Sequence, residues 1–116
     1  MPVLNLHHLV RAGGYSLEGL ARAWKQEQAF RHEVLVLPLL VCMLWLTGKP
    51  FGLSILAIGG WLLVMAFELL NSAIETAFNM ITLERDDRVK AGKDMASAAI
   101  FLAIAANVGL WMYIFC

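Results

Sequence analysis

The sequence predicts an all-α membrane protein in which three membrane-spanning helices follow an amphipathic surface helix. Its 116 residues are 60% hydrophobic and only 16% charged, and the mean hydropathy is +0.70. Long stretches, over 51–67 and 95–116, carry no formal charge. A soluble domain of this length normally has fewer apolar residues, so we expect one integral membrane domain over residues 1–116. Cys42 and Cys116 form no metal or redox spacing.

A surface helix is predicted over about 4–27. Apolar residues recur with helical spacing at Leu17, Leu20, Ala21 and Trp24, and charged or polar residues lie between them. This pattern is typical of a helix that lies in the membrane surface. Ser16, which follows two glycines, is a candidate N-cap.

Three spans are predicted over about 29–47, 51–83 and 93–116. The strictly apolar part of the first, 34–46, is short for a bilayer, so this helix should carry Arg31 and Glu33 near the interface. The segment 47–50 predicts a turn. The third span has small residues suited to close helix contact, at Ala99, Ala103, Ala106 and Gly109. Asn107 is interpreted as a packing contact.

The basic residues predict the orientation in the membrane. Eight of the nine lysines and arginines precede the first span or lie between the second and third, and only Lys49 lies on the other side. Basic loops stay in the cytoplasm, so the amino terminus and the second connection are expected there. No nucleic acid partner is expected.

A polar stripe follows the apolar part of the second span. It consists of Glu68, Asn71, Ser72, Glu75 and Asn79, which share one helix face. Ionisable groups at membrane depth are costly and usually functional. The alternative is a structural one, in which these side chains join helices within an oligomer.

The stripe suits phosphoryl transfer to a lipid hydroxyl. Glu68 lies deeper, where a lipid headgroup would meet a general base, and Glu75 lies nearer the cytosol, where Mg²⁺ and a phosphate donor arrive. About 10 Å of helix separates the two, so one ion touching both is not expected. Lys93, at the predicted start of the third span, would favour an anion.

Two more acids lie just before the first span and in its first turns. Glu27 and Glu33 are candidates for a further metal ligand and a substrate contact, although Glu27 has the spacing of a simple ion pair with Arg31. No Walker or protein-kinase motif is present, so a nucleotide site here would be of another design.

The chain resembles the prokaryotic diacylglycerol kinases over nearly its whole length. The matching segments are AGGYS at 12–16, GL at 19–20, AW at 23–24, EQAFRHE at 27–33, ELLNSAIE at 68–75 and KDMASAA at 93–99. The resemblance implies a homotrimer with active sites shared between subunits, Mg-ATP as the donor and diacylglycerol as the acceptor.

The resemblance also implies roles for individual residues. Glu68 is expected as the general base, and Glu27 and Glu75 as the metal ligands. Nucleotide contacts are expected from Gly13, Tyr15, Asn71, Glu75, Lys93 and Asp94. Lipid substrate contacts are expected from Glu33, Glu68 and Ser97.

Two alternatives stay open at this point. Related members of the family phosphorylate undecaprenol, and the polar stripe does not separate that lipid from diacylglycerol. A small oligomeric transporter would use Glu68 as a coupling carboxylate, but it should place its key charge near mid-bilayer and often has paired or broken helices.

Overall fold

Four helices follow one another in a computed structural model that describes residues 6–116. They are α1 (Leu6–Gln26), α2 (Gln28–Leu46), α3 (Phe51–Ile81) and α4 (Asp87–Phe115), and all regular structure in this range is helical. Residues 4 and 5, where the surface helix was predicted to begin, lie outside the described range. The structure confirms the all-α fold class.

Three of these helices, α2, α3 and α4, are long and apolar enough to cross a membrane. Their number agrees with the sequence prediction, so the chain is a membrane protein with three candidate spans. α3 ends at Ile81, close to the predicted boundary, but α4 begins at Asp87 rather than near residue 93. The charged stretch before residue 93 therefore forms the first turns of α4 instead of a loop.

Asp86 is the N-cap that starts α4 early. Its carboxylate accepts a hydrogen bond of 2.8 Å from the Arg88 main-chain N–H, which would otherwise have no partner in the first turn. The Arg88 side chain, and then this main-chain bond, hold the pKa of the Asp86 carboxyl below its usual range. Asp87, in the first turn, also complements the positive end of the helix dipole.

The predicted N-cap at Ser16 is wrong, because α1 runs without interruption through Gly13, Gly14 and Ser16. The Ser16 hydroxyl instead donates to the Ala12 carbonyl at 3.0 Å. A serine inside a helix commonly bonds back to the carbonyl four residues earlier.

The joint between α1 and α2 is a single extended residue, Glu27, with φ −111° and ψ 105°. The Arg31 guanidinium donates to the carbonyls of Trp24 and Lys25, both at 3.0 Å. These carbonyls belong to the last turn of α1 and have no partner within the helix, so Arg31 stabilises the corner. Glu27 and Arg31, which the sequence offered as a simple ion pair, do not form one in the part of the chain that the structure describes.

Gly48 ends α2 in a Schellman motif. The Gly48 N–H donates to the Trp45 carbonyl at 3.1 Å, and the Lys49 N–H donates to the Leu44 carbonyl at 3.0 Å. Gly48 has φ +64°, which glycine adopts without steric cost. The predicted turn at 47–50 is confirmed.

α3 and α4 approach closely at Gly60 and Asn107. The buried Asn107 amide donates to the Gly60 carbonyl at 3.0 Å and to the Ala103 carbonyl at 2.9 Å. A Cβ on Gly60 would lie 2.7 Å from Asn107 Oδ1, so a larger residue cannot enter without a shift. The interpretation of Asn107 as a packing contact is confirmed. By contrast, Ala99, Ala106 and Gly109 of the predicted small-residue stripe are exposed in the single chain.

The apolar core of the single chain is small. One cluster consists of Leu40, Leu44, Ala57 and Ile114, and a second of Ala23, Phe30 and Met65. Trp61 packs against both. Most large apolar side chains of the three spans are exposed, which fits a surface covered by lipid or by further subunits rather than by water.

We expect Gly60→Ala to lower the free energy of unfolding by about 1–3 kcal/mol, because the added methyl overfills the contact with Asn107. The measurement is thermal or denaturant unfolding in detergent. Gly59→Ala is the matched control, since a Cβ there meets nothing within 4 Å. Equal stability of the two variants would contradict the close packing of α3 on α4.

Candidate active site

Four glutamates from three parts of the chain converge, and we call them the acidic cluster: Glu27, Glu33, Glu68 and Glu75. Glu27 is the extended joint between α1 and α2, Glu33 lies one and a half turns further along α2, and Glu68 and Glu75 lie on α3. α2 packs against α3, so Glu27 and Glu33 come close to the two acids of the polar stripe. The sequence indicated each pair separately but not their meeting.

Glu33 and Glu68 are the inner pair of the cluster. Their carboxyl groups lie close enough for a side-chain hydrogen bond. Glu33 is only 8% exposed, and its Oε1 is buried without a hydrogen-bond partner. A carboxylate only accepts hydrogen bonds, so a contact between two carboxyl groups requires a proton between them. This pair is therefore the most buried part of the acidic cluster.

Glu27 and Glu75 are the outer members, and both interact electrostatically with Glu68. Glu75 is exposed and Glu27 is half-buried. Together the four acids make this region negatively charged, which suits a divalent cation. No group of three His, Cys, Asp or Glu side chains within residues 6–116 is arranged to hold a metal by itself. Mg²⁺ commonly takes one or two protein carboxylates and completes its shell with phosphate oxygens and water, so this donor set is compatible with it.

Asn71 connects the two acids of α3. Its Nδ2 donates to Glu75 Oε1 at 3.3 Å, across one helical turn. Its Oδ1 is buried and has no partner, so this amide has an unused acceptor within the stripe. The polar face that the sequence predicted is therefore a connected set of groups rather than isolated side chains.

Lys93 extends the polar face from α3 to α4. Its Nζ donates to Asn79 Oδ1 at 2.8 Å, and Asn79 stands about 16 Å along α3 from Glu68. Lys90 and Asp94 form an exposed ion pair of 2.7 Å. Sequence reasoning missed both contacts. The spacing of Lys90 and Asp94 by four residues was an available signal, whereas nothing local pairs Asn79 with Lys93.

Two grooves border these residues. A groove of about 490 Å³ lies between α1 and α3 and has a mainly apolar lining that includes Glu27 and Ser72. A depression of about 450 Å³ lies at the connection of α3 and α4, and Lys90, Lys93 and Asp94 contribute to its wall. The first suits a hydrocarbon chain and the second a charged group.

Five of the predicted site residues are not joined to the acidic cluster, namely Gly13, Tyr15, Lys93, Asp94 and Ser97. Gly13 and Tyr15 are exposed on α1, and Tyr15 borders a shallow depression with Glu18 and Arg22. Ser97 is exposed on α4. No hydrogen bond or ion pair within residues 6–116 connects any of the five with the four glutamates.

The family model described as prokaryotic diacylglycerol kinase matches residues 14–115. A diacylglycerol kinase of Haemophilus influenzae is 42% identical over 91% of this chain and 90% of its own length. Those of Pseudomonas aeruginosa and Escherichia coli K12 are 40% and 41% identical over 91% and 89% of this chain, and over 86% and 84% of their own lengths.

These matches cover all three parts of the chain that build the acidic cluster, which are the joint between α1 and α2, α2 itself and α3. They agree with the resemblance that the sequence segments carry. The chain belongs to the prokaryotic diacylglycerol kinase family and is a membrane enzyme of the lipid kinase class.

Proposed function

We propose that this protein transfers the γ-phosphoryl group of ATP to diacylglycerol and so forms phosphatidic acid at the cytoplasmic surface of the bacterial inner membrane. The observation that carries the proposal is the convergence of Glu27, Glu33, Glu68 and Glu75 at one end of the apolar helices. Diacylglycerol is chosen over undecaprenol because the relatives are named for it.

The basic residues support the cytoplasmic placement. Arg85, Arg88, Lys90 and Lys93 lie around the connection of α3 and α4, and basic connections remain in the cytoplasm. α1 then lies along the same surface, with Leu17, Leu20 and Trp24 toward the lipid. ATP reaches the site from the cytosol, while the lipid hydroxyl reaches it from the membrane.

Glu68 is the general base in this proposal. The diacylglycerol hydroxyl gives its proton to the Glu68 carboxylate while its oxygen forms a bond to the γ-phosphorus. The bond between the γ-phosphorus and the oxygen bridging to the β-phosphate breaks, and ADP leaves with that electron pair. Glu33, in contact with Glu68, is placed to orient the hydroxyl. Such transfer depends mainly on positioning and charge neutralisation.

Glu27 and Glu75 are assigned as the residues that hold Mg²⁺, which when bound neutralises phosphate charge. Asn71 orients Glu75 through its 3.3 Å hydrogen bond and is assigned as a nucleotide contact. Lys93 and Asp94 border the charged depression and are assigned to phosphate contacts. Gly13 and Tyr15 remain proposed nucleotide contacts and Ser97 a proposed lipid contact, supported by the family resemblance alone.

A homotrimer is part of the proposal. The single chain offers open grooves rather than an enclosed site, and phosphoryl transfer requires that water be kept from the reacting groups. Much of the apolar surface of the spans is exposed. Association of identical chains would cover part of this surface and close the site, and the number three follows from the family resemblance.

The direct test is an assay of the purified protein with labelled ATP and Mg²⁺ in mixed micelles that contain either diacylglycerol or undecaprenol at equal mole fraction. We expect labelled phosphatidic acid to form faster than undecaprenyl phosphate. Preferential labelling of undecaprenol would overturn the substrate assignment. Absence of any labelled lipid, together with substrate-driven proton flux in vesicles, would favour the transporter.

We expect Glu68→Gln to lower kcat by about 10²–10⁴-fold, because the amide cannot accept the hydroxyl proton. The measurement is the initial rate at saturating ATP and lipid, with chromatography showing that the oligomer is retained. Glu18→Gln, which removes an acid from α1 outside the acidic cluster, is the matched control and should keep the normal rate. A near-normal rate for Glu68→Gln would remove its assignment as base.

We expect Glu75→Gln to raise the Mg²⁺ concentration required for half-maximal rate, since one carboxylate ligand is lost and the amide binds a hard cation weakly. The measurement is a Mg²⁺ titration of the rate at fixed ATP. Glu18→Gln again serves as the control for the loss of one negative charge. An unchanged titration in Glu75→Gln would contradict the metal assignment.

A further inference from the structure

Trp61 makes a hydrogen bond between α3 and α2 that the proposed chemistry does not use. Its indole Nε1 donates to the main-chain carbonyl of Glu33 at 2.8 Å. Within residues 6–116, the other polar side-chain contact between α2 and α3 is the one between Glu33 and Glu68. Trp61 therefore holds the main chain of the residue whose carboxyl meets Glu68.

The position of Trp61 along α3 suits this role. It precedes Glu68 by two helical turns, so both side chains lie on the same face of α3 and both point toward α2. Glu33 is consequently held at two points, at its carbonyl by Trp61 and at its carboxyl by Glu68. Two contacts with α3 determine both the position of Glu33 along the helix axis and the orientation of its side chain. One contact alone would leave the orientation free.

Pro38 makes this part of α2 unusual. A proline has no N–H, so Pro38 leaves the carbonyl of Val34 without its normal helical partner and disturbs the helix directly after Glu33. A backbone carbonyl has two lone pairs, and that of Glu33 can accept from Trp61 as well as from its own helix. The Trp61 N–H thus binds α2 at the residue directly before the carbonyl that Pro38 leaves without a partner.

Packing fixes Trp61 independently of the hydrogen bond. The ring contacts both apolar clusters and lies 5.4 Å from the ring of Trp111 on α4. The Trp111 Nε1, in contrast, is buried and has no hydrogen-bond partner. The two tryptophans therefore share one packed environment, but only Trp61 uses its N–H.

We propose that Trp61 is a positioning residue of the active site, which holds Glu33 at the height of Glu68 through the main-chain carbonyl of Glu33. The inference rests on the proposed function, in which Glu33 orients the lipid hydroxyl. It predicts that the indole N–H contributes to turnover even though it touches no reacting group.

Trp61→Phe tests this role, because it keeps an aromatic ring and removes the N–H. We expect kcat to fall roughly tenfold, because the free energy of about one hydrogen bond that positions Glu33 is lost. The KM for ATP should stay unchanged. Trp111→Phe is the matched control, since it removes the same atoms and an N–H that has no partner, and it should keep the wild-type kcat. Thermal unfolding shows whether both variants are folded.

A double-mutant cycle separates positioning from general loosening. If Trp61 acts through Glu33, then Trp61→Phe should have little further effect on kcat once Glu33→Gln is present. An unchanged kcat in Trp61→Phe, an equal loss in Trp111→Phe, or full additivity with Glu33→Gln would each overturn the inference while leaving an active wild type as a lipid kinase. A wild-type protein without lipid kinase activity would refute the proposed function and the inference with it.

Discussion

The contact between Glu33 and Glu68 is the constraint on which the rest of the site depends. Two carboxyl groups at the edge of the apolar core are costly to bury, and they persist only where the surrounding helices hold them. Here α2 is bent back at Glu27, its first turn is tied to α1 by Arg31, and Trp61 holds it to α3. The fold therefore brings four acidic side chains together in one region, and the proposed cation and phosphate donor would offset their charge.

The packing of α4 supports this arrangement from the other side. Asn107 binds the Gly60 carbonyl, one residue before Trp61, and Trp111 lies against the Trp61 ring. Polar contacts between helices fix the position of α3 along its axis relative to α4, which apolar packing alone would not determine. Further along, Lys93 binds Asn79, so α4 is attached to α3 both within the span and at its charged end. The site thus depends on all four helices.

The sequence predicted much of the architecture because its signals are local. Apolar runs predict spans, Gly48 predicts a turn, and the spacing of Glu68, Asn71 and Glu75 predicts one polar face. The start of α4 was predicted too late because charged residues suggested a loop, whereas Asp86 caps a helix there. The meeting of Glu33 with Glu68, and the bonds from Trp61 and Lys93, join residues far apart in the chain. Only tertiary packing determines such contacts.

The most direct measurement of the central claim is to locate the lipid hydroxyl itself. A diacylglycerol analogue with a photoreactive group beside its hydroxyl would be irradiated with the active protein, and the labelled residues identified by mass spectrometry. We expect adducts on α2 and α3 around Glu33 and Glu68, suppressed by excess unlabelled diacylglycerol. Competed adducts confined to α4, or to the end of the bundle at Lys49, would contradict it.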